Sequence, residues 1–332
     1  MKVFITRKIS YKGVKLLKDA GIEISEWKEK RELTPEELIE NCRPCNAMIA
    51  AGYNKMDASF LNACSHLKVI SLHSAGFDNV DLNEATRLNI PVGNTPGVVS
   101  EATADIAFLL MLAASRKAFY HYRRIINGDW NFFDPTAGLG LQLKNKTLGI
   151  FGLGKIGSEM AKRCIGAYNM KIIYCNRHQN VQAEKELNAV KVSFIELLAQ
   201  SDILSVHSTL NSETRGKFDK TAFEKMRPTS IFINTARGSI HNEQDLISAL
   251  QNKIIWGAGL DVCHPEPMNK NNPLLTMPTV AILPHIGSAT EETRNSMSEM
   301  AAKNVIAALS GKQIPFIVNP QVYDLKKRRN KN

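Results

Sequence analysis

Three ionisable side chains stand just past predicted strands, and together they could hold an anion and move a proton. Arg237 follows Ile233-Asn234-Thr235-Ala236. Glu266 lies between two prolines in Asp261-Val262-Cys263-His264-Pro265-Glu266-Pro267. His285 follows Leu283-Pro284. Histidine gives or takes a proton near neutrality. A carboxylate beside it stabilises the imidazolium. Arginine clamps a carboxylate through two parallel bonds and so fixes a small acid in place. Hydride addition to a ketone needs this set, because negative charge grows on the oxygen and a proton must follow. Each residue alone would more often be structural. Their joint occurrence carries weight only if the fold also holds a hydride carrier.

The chain supplies the motif for one. Gly152-Leu153-Gly154-Lys155-Ile156-Gly157 is G-x-G-x-x-G. Alone the pattern is weak. Here a predicted strand, 147–151, precedes it, a predicted helix, 158–167, follows, and a second strand, 171–174, comes next. Glycines allow the tight turn and the close approach of a pyrophosphate, which sits at the helix N-terminus. Gly152, Gly154, Lys155, Ile156 and Gly157 are therefore the expected dinucleotide contacts. The second strand ends Tyr174-Cys175-Asn176-Arg177-His178 and carries no acid. NAD enzymes usually place Asp or Glu there to hold the ribose hydroxyls. Arg177 could instead form charge-assisted bonds to a 2′-phosphate. NADP is the expected cofactor, with NAD as a second choice, and Asn176 and Arg177 are expected to touch it.

The elements that position these groups alternate. Short apolar strands are predicted at 3–6, 48–51 and 69–72, with helical stretches at 11–20 and 56–64. A long helical pattern, 100–126, follows the break at Asn94-Thr95-Pro96-Gly97. After a loop at 127–144, strands are predicted at 147–151, 171–174, 203–207, 230–234, 257–261 and 280–283, and a last helix at 291–309. Strand–helix alternation implies parallel sheets covered on both faces. The expected fold class is α/β, with two doubly wound, Rossmann-like domains and a cleft between them. The first, flavodoxin-like domain takes 1–96 plus 288–332 and binds substrate. The second takes 97–287 and binds the dinucleotide. Ligands of such sheets lie beyond the carboxyl ends of the strands, where Arg237, Glu266 and His285 fall.

Composition excludes other classes. At 332 residues the chain is long for one core. Hydrophobic residues are 44% and charged residues 22%, ordinary for a globular protein. The most apolar stretch, 102–115, is interrupted by Asp105 and too short for a bilayer, and Val3-Phe4-Ile5 ends at once in Thr6-Arg7-Lys8, so no membrane span or secretory signal is expected and the location is expected to be cytoplasmic. The net charge of +10 owes five charges to Lys326, Lys327, Arg328, Arg329 and Lys331, leaving 37 basic against 32 acidic residues. A solvated tail explains it, and no nucleic-acid partner is expected. Cys42-Arg43-Pro44-Cys45 has C-x-x-C spacing but no second ligand pair, so no metal site is expected.

These motifs carry a resemblance. Ser74-Ala75-Gly76-Phe77-Asp78-Asn79-Val80-Asp81, the glycine turn, Asn234-Thr235-Ala236-Arg237-Gly238, Gly259-Leu260-Asp261-Val262 with Glu266-Pro267, and Pro284-His285-Ile286-Gly287-Ser288 resemble the D-isomer-specific 2-hydroxyacid dehydrogenases over nearly the whole chain. The resemblance implies that Arg237 binds the substrate carboxylate and keto oxygen, that His285 is the acid/base and that Glu266 is its partner. It implies that Asp261 holds the nicotinamide carboxamide and that Thr103 lies near the cofactor phosphates. It places His207, Thr235, Ala236 and Ser288 among the cofactor contacts, and Ser74 with the amides of Ala75 and Gly76 at the substrate. The family's His-x-Pro-Leu stretch stands here as His207-Ser208-Thr209-Leu210, with one proline replaced.

Within the family the likeness is to glyoxylate/hydroxypyruvate reductases and 2-ketogluconate reductases, through Lys146-Thr147-Leu148-Gly149-Ile150, Tyr174 to His178, and His285 to Thr290. The expected activity is NAD(P)H-dependent reduction of a small 2-keto acid to the D-2-hydroxy acid. Glyoxylate or hydroxypyruvate is the expected substrate, and a 2-ketogluconate reductase or a corepressor-like, dinucleotide-sensing relative is the alternative. A homodimer is expected, joined through the 100–126 helix, whose run Ile106-Ala107-Phe108-Leu109-Leu110-Met111-Leu112 is more apolar than a surface helix normally exposes.

Overall fold

Short runs of apolar residues become the strands of two parallel sheets. The computed structural model describes residues 1–324, so the basic tail lies outside the described residues. The chain divides into two units, one of Met1–Val99 with the chain from Ser288 onward, the other of Ser100–Gly287.

The first unit holds β1 (Lys2–Ile5), β2 (Glu23–Glu26), β3 (Ala47–Ala50), β4 (Ile70–Leu72) and β5 (Val92–Gly93), in the order β2-β1-β3-β4-β5. Every pairing is parallel. Successive side chains point to opposite faces, and the core obeys this. Val3 and Ile5 join Leu17, Ala301 and Val305 on one face, whereas Phe4 and Met48 pack with Leu38, Phe60 and Ile70 on the other. The last long helix, Glu291–Leu309, covers the first of these faces beside the Tyr11–Asp19 helix. Cys42 and Cys45 are buried in the core, with Cys42 Sγ 3.4 Å from Met48 Sδ.

The second unit holds β6 (Thr147–Phe151), β7 (Lys171–Cys175), β8 (Val190–Lys191), β9 (Ile203–Val206), β10 (Ile231–Asn234), β11 (Gly257–Leu260) and β12 (Val280–Ile282). Their order is β12-β11-β10-β9-β6-β7-β8, so the winding direction reverses between β6 and β9. That reversal opens a crevice beyond the strand ends. β2, β5 and β8 were not expected. Each lies at an end of its sheet's strand order, β5 bonding on its outer side to the antiparallel segment around Ile317, and β2 and β8 lack the buried apolar run that marks a central strand.

Two helices differ from expectation. The 100–126 pattern is not one helix: Ser100–Ser115 ends at a break, and Ala118–Ile126 begins after Lys117, which has φ +55°. A β-carbon-bearing residue in the left-handed region cannot continue a right-handed helix. The apolar run of the first piece is largely explained within its own unit, because Ala107, Leu110 and Met111 are fully buried there. The helix after the glycine turn starts at Lys155 rather than 158, immediately after Gly154. Among the described residues no helix is long and apolar enough to cross a membrane.

Each unit buries a neutral histidine. Burial pushes His73 and His241 down to about 4, helped at His73 by the charge of Arg294 and at His241 by that of His264. A folded value below the ordinary 6.5 means that the unfolded chain takes up a proton the fold refuses. This stabilisation, on the order of 3 kcal/mol per histidine, is complete above pH ~6.5 and is lost as pH falls toward ~4. Thermal unfolding followed across that window should show a declining midpoint. A His73→Asn/His241→Asn variant should lose part of the slope whatever its absolute stability, and an unchanged slope would refute the assignment.

Candidate active site

The candidate residues of the second unit stand at carboxyl ends of its parallel strands. The Gly152 turn follows β6, Asn176 and Arg177 follow β7, and His207 follows β9. Thr235, Ala236 and Arg237 follow β10, Asp261 and Glu266 follow β11, and His285 follows β12. Parallel pairing brings all of these to one edge of one sheet.

His285 and Glu266 meet directly. His285 Nδ1 lies 2.8 Å from Glu266 Oε2. The carboxylate accepts, so Nδ1 carries the proton and Nε2 is left to face a ligand, with side-chain exposures of 50% for His285 and 37% for Glu266. Glu266 Oε1 accepts from the backbone N–H of Cys263 at 3.1 Å. Burial raises the Glu266 carboxyl, but the His285 bond and charge, the Cys263 amide and the charge of Arg237 together hold it below the ordinary carboxylate range. Glu266 is therefore ionised at neutral pH and favours the imidazolium.

Asp261 fixes the turn that presents His285. Its Oδ1 accepts from Ile286 N–H at 2.8 Å and its Oδ2 from Gly287 N–H at 2.7 Å, while its own carbonyl accepts from His285 N–H at 2.9 Å. His285 has φ +54°, a strained conformation for a residue with a β-carbon. Three hydrogen bonds to one aspartate hold it there. Burial pushes the Asp261 carboxyl up, partly offset by those two amides. The sequence pointed only to the nicotinamide for this residue. Thr103 lies against the same turn, its side chain within 3.4 Å of where a β-carbon on Gly287 would sit.

Arg237 is set by two residues that spacing did not mark. Asn234 Nδ2 donates to Arg237 O at 2.9 Å and to His241 Nδ1 at 3.1 Å, and Asn234 Oδ1 accepts from Ala236 N–H at 2.9 Å. Asn234 sat inside a recognised motif, but His241 carried no signal, because its use appears only once the loop folds back. Gly238 lets this loop touch the next one: a β-carbon there would lie 2.0 Å from Cys263 O. Any side chain would push apart the loops carrying Arg237 and Glu266.

The glycine turn fits a pyrophosphate. Gly152 has φ +98°, and a β-carbon on it would come within 2.6 Å of Ser208 N. A β-carbon on Gly154 would meet nothing within 4 Å. Gly154 caps the Lys155–Tyr168 helix without a side-chain acceptor, so the first-turn amides of that helix are open to an anion. Asn176 clamps the turn, accepting from Leu153 N–H at 2.7 Å and donating to Leu153 O at 3.1 Å. Its amide serves the loop, a role the sequence did not show. His207 bonds Ser205 Oγ at 2.8 Å and Thr235 Oγ1 at 3.4 Å, which ties β9 to the β10 loop. Arg177 is ion-paired at 2.6 Å with Glu213, both exposed.

In the first unit, Ser74, Ala75 and Gly76 follow β4, and Ser288 starts the segment leading into the Glu291–Leu309 helix. Among the described residues no group of His, Cys, Asp and Glu could hold a metal ion.

The profile of the D-isomer specific 2-hydroxyacid dehydrogenase NAD binding domain matches residues 108–287. The chain belongs to the D-isomer specific 2-hydroxyacid dehydrogenase family. It is an oxidoreductase that uses a nicotinamide dinucleotide. Among relatives it is similar to a glyoxylate reductase of Thermococcus litoralis, with 41% identity over 325 residues, 97% of each chain. It is also similar to human glyoxylate reductase/hydroxypyruvate reductase, with 38% identity over 95% of this chain and 97% of that one. A solved NADPH-dependent glyoxylate/hydroxypyruvate reductase from Sinorhizobium meliloti, in complex with NADP and malonate, superposes with a TM-score of 0.83 at 28% identity, covering 96% of this chain and 97% of that one.

Two substitutions probe how this dehydrogenase is built. Asp261→Asn sets an amide donor against a backbone donor and should lower kcat/KM at least ~10-fold, with ~1–3 kcal/mol lost in denaturant unfolding. Wild-type activity in this variant would show that the His285 turn needs no such anchor. Gly152→Ala forces a β-carbon into the left-handed region against Ser208 and should weaken binding of the reduced nicotinamide dinucleotide roughly 10-fold or more in a fluorescence titration. Unchanged affinity would show that the turn does not bind the dinucleotide.

Proposed function

We propose that this dehydrogenase reduces glyoxylate or hydroxypyruvate to the corresponding D-2-hydroxy acid. The carrying observation is the His285–Glu266 bond, which leaves Nε2 of a histidine in the dinucleotide-binding unit to meet the substrate. The reduced nicotinamide, when bound, supplies the hydride to the carbonyl carbon. His285 Nε2 gives its proton to the resulting alkoxide. Glu266, ionised beside it, stabilises the charged ring beforehand. Arg237 holds the carboxylate and polarises the keto oxygen. Gly152, Gly154, Lys155, Ile156 and Gly157 take the pyrophosphate. Asn176, Arg177, His207, Thr235 and Ala236, with Thr103 and Asp261, line the rest of the cofactor. The names of the similar reductases support the substrate class.

NADPH is the preferred reductant in this reading, because Arg177 exchanges Glu213 for the 2′-phosphate. Exposed ion pairs contribute little, so the exchange is easy. The chain acts in the cytoplasm as a homodimer. All six cysteines are free, as a reducing compartment would keep them. The dimer contact belongs to the Ala118–Ile126 helix and the loop after it rather than to the Ser100–Ser115 run. Trp130 is 68% exposed, Phe132 75% and Phe133 84%, a concentration of apolar surface that a monomer seldom leaves bare.

Turnover of glyoxylate, hydroxypyruvate and 2-ketogluconate with NADPH tests the substrate. The first two should react, and His285→Ala should lower kcat ~10²–10⁴-fold. Reaction with 2-ketogluconate alone, or binding of NADPH without turnover of any keto acid, would overturn the assignment in favour of a sugar-acid reductase or a dinucleotide sensor. Arg177→Ala should weaken NADPH and spare NADH, and Glu213→Gln should strengthen NADPH. Equal effects on both cofactors would show that this pair does not read the phosphate. Light scattering at micromolar concentration should give a dimer, and a monomer would remove that part of the reading.

A further inference from the structure

The first unit carries a half-buried cation that none of its described residues neutralises. Arg294 lies in the Glu291–Leu309 helix, and burial lowers its guanidinium with no acid acting against it. Among the described residues its guanidinium has no hydrogen-bond or ion-pair partner, whereas Arg31, Arg87, Arg163 and Arg227 are all paired with carboxylates. Desolvating a guanidinium without a partner costs stability, so its retention calls for a ligand.

Hydrogen bonds fix where this side chain stands. The helix runs antiparallel to β4. Asn304 Nδ2 donates to Ser71 Oγ at 3.2 Å and Ser71 Oγ donates to Ala301 O at 3.1 Å; further on, Ser298 Oγ meets His73 Nε2 at 2.9 Å. The Ser298 hydroxyl spends its proton on Arg294 O at 2.7 Å, so His73 donates from Nε2 and is neutral. One more helical turn toward the N-terminus advances about 6 Å. That equals about two residues of extended chain. It brings Arg294 level with Ser74 to Gly76, and helical side chains lean toward the N-terminus, which extends the reach the same way.

That loop is built to present amides. Ser74 O accepts from Thr95 N–H at 2.9 Å, Ala75 O from Asn94 Nδ2 at 2.7 Å, and Gly76 O from Ser74 Oγ at 2.7 Å. The three carbonyls are occupied, while the N–H groups of Ser74, Ala75 and Gly76 have no acceptor among the described residues. The register thus sets Arg294 level with consecutive free amides, and a guanidinium with such amides is the composition of an anion cradle.

We propose that Arg294 joins the amides of Ala75 and Gly76, which the family resemblance already assigns to the substrate carboxylate, and that it sets affinity for the 2-keto acid. Only the identity of the anion rests on the function proposed above. The guanidinium is already desolvated and held by its helix, so binding needs little reorganisation. It recognises charge and takes no part in proton transfer.

Oxalate serves as a carboxylate probe in calorimetry on the cofactor-free protein, and glyoxylate in steady-state kinetics. Arg294→Met should weaken oxalate about 10–100-fold, the loss expected for one charged hydrogen bond. It should raise KM for glyoxylate similarly while kcat stays within a few-fold. Arg294→Lys should retain part of the affinity, and millimolar guanidine should restore part of the activity of Arg294→Ala. Unchanged oxalate affinity and KM in Arg294→Met would overturn the proposal. So would a loss that tracks melting temperature and responds to neither lysine nor guanidine. If the wild-type protein reduces no 2-keto acid, the function assigned above fails, and the oxalate comparison still decides the subsite.

Discussion

One carboxylate carries the geometry of the catalytic edge. Asp261 holds the backbone of Ile286 and Gly287 with its two oxygens and His285 with its carbonyl, and without it the left-handed conformation of His285 would relax. The loop after the same strand supplies Glu266, whose bond to Nδ1 selects the tautomer and leaves Nε2 outward. Buried hydrogen bonds to a charged acceptor are among the stronger ones in a fold, which suits a group whose orientation matters to a few tenths of an ångström.

The sheet explains why a single edge can gather so many residues. In a parallel sheet every strand delivers its following loop to the same side, and β9 to β12 deliver four in a row. The loops then support one another. Asn234 and His241 fix the carbonyl of Arg237, and Gly238 lets that loop rest on Cys263, one residue beyond the Asp261–Val262 pair. On the far side of the winding reversal, Asn176 holds the glycine turn open at Leu153. The residues that touch substrate or cofactor in this reading are few, and most of the polar groups around them serve to hold those few.

Central strands were legible in the sequence because burial on both faces demands an uninterrupted apolar run; β6 was read to the residue. Edge strands such as β2 and β8 were not, since water on one side removes that demand. The break at Lys117 escaped because apolar periodicity continues across it, and only the backbone turns. Arg237, Glu266 and His285 were legible as residue types at strand ends, and the structure brings His285 and Glu266 into contact. Their supports were not: His241, Glu213 and the anchoring role of Asp261 depend on contacts that form only after the chain has folded. Arg294 escaped for the opposite reason, because what marks it is a missing partner.

The pH dependence of kcat/KM for Glu266→Gln, measured in both directions with the parent enzyme beside it, tests most directly whether the His285–Glu266 bond drives proton transfer. Reduction needs imidazolium, and the amide no longer stabilises that charge. The reductive profile should therefore fall off at a lower pH than in the parent. Oxidation of the hydroxy acid needs the neutral ring, and its profile should keep its high-pH activity. Superimposable reductive profiles would contradict the account and leave Glu266 with no more than a structural part in its loop.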